Sequence, residues 1–400
     1  MKRRPLSRIE WLLLISPLMA LALVGAWWLW RERANANLLQ SVERPLRAFG
    51  LPSGEVVAWA YPAAAFERTP RAASTRFDPV FLRWNVLNRK LSESRSVLFR
   101  PYNSTLSPDG KHFAVVNFPQ NPFSKSAPWL EVRDVDDMSV ARVRWRGEGA
   151  TLAWTPDNRQ IVACSGQARV YDATTGRLGR TLSIRRWLPD GASIHSVQFS
   201  PDGRLIAVRE GTTYIKSAPA RFGNVTGTEG DIKGRLLIAS WPSGVLKTRL
   251  PGDLWDCCAW TNGGRELLAV SRVRSGYNTL RAQITRYDLQ TQHTRQIELK
   301  PLESWQKGWL YEGWSLVQAA FSPDGRFLVA ATDSGRGWLI WNASTGQVAT
   351  VLAPFKLGDN DRYRPDARPQ FSFDGRFFLR PRLEGVELVD LRALDGNANQ

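Results

Sequence analysis

The chain has 400 residues, enough for one large domain with an anchor, and 43% of them are apolar, an ordinary share for a globular fold. Three cysteines exclude a disulfide-built scaffold. The formal charge of +17 comes mostly from arginine, which outnumbers lysine roughly four to one. Such a surplus suits nucleic acid, an anionic membrane or acidic partners, and equally a GC-rich genome, so by itself it selects no partner.

Residues 1–8 are basic, with Lys2, Arg3, Arg4 and Arg8. Residues 9–30 then form an almost unbroken apolar run, about the length that spans a bilayer core at 1.5 Å per residue. Trp27, Trp28 and Trp30 stand at its far end, where an aromatic belt belongs. The run predicts one transmembrane helix, an uncleaved signal anchor that contacts the lipid bilayer. The competing reading is a signal peptide cut after Ala34-Asn35-Ala36; the length of the run and the charged Arg31-Glu32-Arg33 argue against it. The basic residues ahead of the run put the N-terminus in the cytoplasm and the remainder outside it. Residues 31–54 read as a stalk or linker, with a short helix over 34–49 broken at Pro45. In residues 55–97 strands are expected over 56–61, 80–87 and from 95 to 100, with a polar loop at 62–79. This segment is expected to help close the fold built by residues 98–394.

From residue 98 to 394 the chain repeats itself. Its clearest unit spans 319–352. A short apolar strand runs into Ser322-Pro323-Asp324-Gly325, whose Pro and Gly suit a type I turn. A strand over 327–332, apolar almost throughout, comes next, as expected where both sheet faces are covered. A third strand over 337–342, the turn Ala343-Ser344-Thr345-Gly346 and a fourth strand over 347–352 complete the unit. The first turn recurs as Ser107-Pro108-Asp109-Gly110, Thr155-Pro156-Asp157-Asn158, Ser200-Pro201-Asp202-Gly203, Thr261-Asn262-Gly263-Gly264 and Ser372-Phe373-Asp374-Gly375. Third strands end in Tyr171-Asp172, Tyr287-Asp288, Trp341-Asn342 and Val389-Asp390. The spacing of roughly 45–60 residues is that of a propeller blade.

These units resemble blades of a WD-repeat β-propeller in the degenerate form common in bacterial proteins. The resemblance covers roughly residues 98–394. The Gly-His pair that often opens such a unit is absent, and Trp-Asp is mostly Tyr-Asp or Trp-Asn. The resemblance implies an all-β fold: six or seven blades, each of four antiparallel strands, preceded by the membrane helix. The last unit is short, so a strand from the N-terminal side is expected to complete it and remove the open edges. Residues 395–400 are a tail.

Alternating strand direction separates two faces. Turns between first and second strands, and between third and fourth, are short and share one face. The other face collects the insertions: 119–128, 211–233, 272–279, 300–315 and 353–368. Long loops on a rigid scaffold suit binding, and Trp305, Trp309, Tyr311 and Trp314 among charged neighbours are the candidate contact residues. On the opposite, short-turn face a basic residue stands after each first turn: Lys111, Arg159, Arg204, Arg265, Arg326 and Arg376. Rotation would arrange them as a ring able to hold an anionic surface, or as solvated turn residues paired with the turn Asp.

Catalytic signals are sparse. His112, His195 and His293 occupy unrelated positions, and Cys164, Cys257 and Cys258 read as small buried strand residues. No metal-binding or nucleophile motif is present, and no cofactor is expected. The expectation is a membrane-anchored interaction or scaffold module, not an enzyme, with a protein partner of unknown identity and no nucleic acid. The alternative is a hydrolase- or lyase-type propeller holding a small molecule in its central channel.

Overall fold

The computed structural model describes residues 38–40, 44–61, 80–96, 103–117, 129–138, 141–146, 151–165, 167–182, 193–217, 228–250, 255–274, 280–300, 317–331, 338–352, 369–382 and 385–395. Its repeating device is the first turn. Ser107 Oγ donates to Asp109 Oδ1 at 2.6 Å, and the same carboxylate oxygen accepts the Lys111 N–H. Ser107 Oγ in turn accepts the His112 N–H, while Ser107 N–H donates to His112 O. Thr155, Ser200, Ser322 and Ser372 repeat this arrangement with Asp157, Asp202, Asp324 and Asp374. A Ser or Thr with an Asp two residues on therefore satisfies a tight turn with its own side chains. At Thr261, Gly263 stands where the Asp would be, and the buried Thr261 Oγ1 has no hydrogen bond.

The basic residue after the turn contributes through its backbone. Its carbonyl accepts an N–H from the residue just past the third strand: Val135 to Lys111, Ala173 to Arg159, Trp241 to Arg204, Leu289 to Arg265, Ala343 to Arg326 and Leu391 to Arg376. The two turns of each blade are thereby tied together.

Seven four-stranded antiparallel sheets result. Blade 1 spans 44–96, blade 2 103–146, blade 3 151–182, blade 4 193–250, blade 5 255–298 and blade 6 317–352. Blade 7 takes its first three strands from Gln370–Phe371, Phe377–Arg382 and Gly385–Asp390, and its fourth from Leu38–Gln40. First strands of neighbouring blades contact one another, so they lie innermost. Blade-to-blade layers of apolar side chains make up the core; one joins Leu268, Val270 and Ile284 of blade 5 to Phe321, Leu339 and Trp341 of blade 6.

The structure resolves the expected six or seven blades as seven and replaces the stalk. Residues 31–54 contain the closing strand Leu38–Gln40 and the first strand of blade 1, Arg44–Gly50, where the sequence predicts a helix. Pro45 is compatible with a strand because it sits on the innermost, edge strand, where the pairing register shifts between Pro45 and Arg47. Buried Ala48 and Phe49 then pull this segment into the core. The ring thus begins at Leu38, ahead of the expected 98. Blade 1 has its own first turn, Leu51-Pro52-Ser53-Gly54, with Gly54 N–H donating to Leu51 O. It has no Asp and is one residue shorter, so the position of the cation is missing and Glu55 stands level with His112 at the start of the second strand. The loop expected over 211–233 is partly sheet: pairing between Leu205–Ser217 and Thr228–Ser240 runs out to Ser217 and Thr228. The membrane helix expected over 9–30 lies outside the described residues. Among the described residues no helix is long and apolar enough to cross a membrane.

The turn carboxylates make stability depend on pH. At Asp202 the Ser200 hydroxyl and then the Arg204 N–H lower the carboxyl pKa against burial. At Asp109, Asp157, Asp324 and Asp374 burial is the largest single influence and raises it, but the hydroxyl and backbone donors outweigh it and the net shift is downward. Each group binds its proton more weakly folded than unfolded. Its stabilisation is therefore complete above the unfolded value near 4 and is lost as pH falls below it. Buried Glu210, shifted upward by desolvation, works in the opposite sense at one site. The expected result is a melting temperature flat between roughly pH 7 and 5 that falls steeply below about pH 4. A melting temperature that rises on acidification below that point would contradict the assignment.

Candidate functional site

The turns of neighbouring blades interlock around the axis. A Cβ on Gly110 would run into the Pro52 ring, one on Gly203 would lie 3.7 Å from Pro156, one on Gly264 3.2 Å from Pro201, and one on Gly375 3.3 Å from Pro323. At the blade 2–3 joint Asn158, with φ at +61°, replaces the glycine, and its Oδ1 accepts the Asp109 N–H. At the blade 5–6 joint the Thr261 methyl fills the space above Gly325. The joint between blades 7 and 1 breaks this pattern. Blade 7 has Phe373 where most turns have Pro, and nothing lies within 4 Å of a Cβ placed on Gly54.

The ring is closed one layer deeper at this joint, since a Cβ on Gly50 would stand 2.5 Å from the Ser372 Cα. At the turn level a cavity of about 390 Å³ opens between blades 7 and 1. Leu51, Pro52, Val86, Leu87, Phe373 and Phe377 give it apolar walls. Phe373 is 55% exposed and Leu87 96% exposed. Its charged groups are already paired. Glu55 receives Arg83 Nη2 at 2.8 Å and Ser53 Oγ at 2.9 Å; Arg376 holds Asp390 at 2.7 Å; Asp374 accepts Ser372 Oγ and the Arg376 N–H.

The structure brings Lys111, Arg159, Arg204, Arg265, Arg326 and Arg376 to this same face, all exposed. Five of the six stand two residues from a turn Asp. Arg326 Nε pairs with Asp324 at 2.6 Å, Arg204 Nε lies 3.9 Å from Asp202, and Arg376 lies over the Phe377 ring as well as against Asp390. The cations thus alternate with carboxylates around the ring. Trp305, Trp309, Tyr311 and Trp314 lie outside the described residues. The seam cavity is not legible in the sequence, although one signal points to it: Phe373 occupies the Pro position of its turn.

Two residues before the first turns of blades 2 to 7 stand Thr105, Ala153, Gln198, Ala259, Ala320 and Gln370, each partly or fully exposed on an innermost strand; the counterpart in blade 1, Phe49, is buried. None is ionisable. The Cys258 thiol donates to Gln198 Oε1 at 3.2 Å, and burial pushes both it and the Cys164 thiol up to about 12, so they stay protonated at neutral pH. His112 Nε2 lies 3.4 Å from Asp134 at the turn end of blade 2, and His293 is exposed in a turn. Among the described residues no group of three or more His, Cys, Asp or Glu is placed to hold a metal ion.

No family model matches the chain, and no curated protein does. Solved structures do. Hydrazine synthase from Kuenenia stuttgartiensis superposes with a TM-score of 0.54 at 13% identity, covering 88% of this chain and 96% of that one. A chain of the mitotic checkpoint complex gives 0.52 at 12% identity, over 86% and 89%. The β-propeller domain of Cps50 (Swd1) from Myceliophteria thermophila gives 0.50 at 13% identity, over 78% and 86%. What they share with this chain is the fold. This is a seven-bladed β-propeller, and the WD-repeat-like reading holds at that level.

Proposed function

We propose that the protein is an interaction module, tethered to a membrane by residues 9–30, that holds a protein partner against one face of its propeller. The observation that carries this reading is the distribution of exposed apolar side chains. Leu87, Leu91, Leu178, Val245 and Phe373 are the large exposed apolar residues among those described. All five sit in or beside the short turns of one face, and Leu87, Leu91 and Phe373 belong to blades 1 and 7, either side of the seam. Single exposed apolar residues are commonplace, but a cluster beside a cavity on a rigid ring is the form an interface anchor takes.

The test is capture of partners from detergent-solubilised membranes. Intact protein is compared with Leu87→Arg combined with Phe373→Pro, and separately with Ala at Trp305, Trp309 and Tyr311. A partner held by the intact protein and lost with the Leu87/Phe373 variant is the expected result. Loss only with the aromatic variant would move the contact to the long-loop face. Absence of a partner throughout, together with turnover of a small substrate, would replace the interaction module with an enzyme.

A further inference from the structure

Resting on the binding reading above, and deepening it, we propose that the seam cavity between blades 7 and 1 receives a single uncharged, apolar side chain from a partner polypeptide. Its volume of about 390 Å³ lies at the lower end of the range for specific ligand sites. That size suits one aromatic or leucine side chain with its adjoining backbone better than a folded surface. The walls are mostly apolar, and Leu87 and Phe373 form an exposed lip around which neighbouring residues of a peptide can pack.

Charge decides against a charged ligand. Glu55, Asp374 and Arg376 reach the cavity, but each is committed to partners in this chain: Arg83 and Ser53, Ser372 and the Arg376 N–H, and Asp390. An incoming carboxylate or ammonium would lose its water shell and find no free counter-charge. A neutral side chain loses nothing of that kind and removes apolar surface from water.

The stretches that directly flank the described ring offer no large apolar side chain to it. Leu38 pairs with Glu387 and Gln40 with Gly385, so the chain enters the ring from the Asp390 end of the strand Gly385–Asp390, the end that carries the turns. The stretch just ahead of it, 31–37, reads RERANAN, and the tail at 396–400 reads GNANQ. Neither contains a large apolar residue. The opening is also particular to this joint, because Pro, Thr or Asn side chains fill the other six.

The test uses purified full-length protein in detergent and a random peptide library displayed on phage, then the best binder as a synthetic peptide. The expected winners share Phe, Trp or Leu at one fixed position, with no required charge. Their affinity should change by less than about threefold between roughly 50 and 500 mM salt. Phe373→Pro installs the residue used by most of the other turns, so the fold should be kept while the lip is lost. Leu87→Arg alters a side chain that is almost wholly solvent-exposed. Each should weaken binding by roughly tenfold or more, while Arg159→Ala across the ring should leave it unchanged. Winners defined by charged positions and lost in salt, binding indifferent to both substitutions, or no enrichment at all would each overturn the proposal. A membrane partner that stays bound to both variants would do the same while leaving the interaction module standing.

Discussion

Replacing Leu39 with Asp should open the ring. Leu39 is fully buried, the central residue of the three-residue strand that closes blade 7, and it packs with Ala48, Leu82 and Trp84 of blade 1 and with Leu379 and Val386 of blade 7. Blade 7 is the thinnest of the seven, since its innermost strand is only Gln370–Phe371. Its attachment to blade 1 therefore rests on few residues. Leu39→Ala alone should cost about 2–5 kcal/mol through lost burial and an unfilled cavity. Leu39→Asp should cost more, because it adds an ionised group with no partner in an apolar layer. Without its outer neighbour, Gly385–Asp390 becomes an exposed edge and a template for association. The expected readouts are a large drop in melting temperature, rapid amide exchange across 385–390 and concentration-dependent aggregation. Leu39→Ile, which keeps the volume, should stay within about 1.5 kcal/mol of the parent. If Leu39→Asp melts with the parent, closure does not depend on this strand.

That closing strand shows where the sequence is informative and where it is not. The turns at 107, 155, 200, 322 and 372 are local devices: a Ser or Thr, an Asp two residues later and a glycine-like position are enough to make them, so they can be read without knowing what surrounds them. The turn at 261 lacks the Asp and is recognisable by its position in the repeat. Leu51-Pro52-Ser53-Gly54 has neither the Asp nor the cation after it, and nothing local marks it as the same device. Arg44–Gly50 carries Ala and Leu residues that suit a helix, and only the sheet around it makes it a strand. The need for a closing strand is implied by the short last unit. That Leu38–Gln40 fills it depends on long-range pairing with residues 385–387, which no local pattern encodes.

The seam cavity is hidden for the same reason. Phe373 and Leu87 are 286 positions apart in sequence and become neighbours only when the circle closes. Each alone looks like an ordinary exposed turn residue. The Phe-for-Pro exchange gains meaning once the other turns are seen to interlock through that position. The ring of cations shows the converse. Its residues are legible and stand where rotation predicts, yet the carboxylates that alternate with them come from the same turns.

Truncating Trp59 should damage the opposite side of blade 1. Its indole is 2% exposed and lies between blades 1 and 2, with ring centroids 5.4 Å from both Phe81 and Phe113. Its Nε1–H donates to Ser104 Oγ at 3.1 Å, and Ser104 is itself buried on the innermost strand of blade 2. One side chain thus supplies both apolar volume and the polar partner across the joint. Trp59→Ala should cost about 3–5 kcal/mol, measured by reversible chemical denaturation, since a joint between two rigid sheets has little freedom to collapse. Trp59→Phe keeps most of the volume and removes the donor. Ser104→Ala keeps the indole and strands its N–H at a cost of about 1–3 kcal/mol. The double variant Trp59→Phe with Ser104→Ala removes both ends of the bond and should be more stable than the sum of the single losses implies. If Trp59→Phe is as damaging as Trp59→Ala, the hydrogen bond holds the joint and the volume is secondary. If Trp59→Ala costs less than about 1 kcal/mol, the two blades do not share a close-packed core at this position.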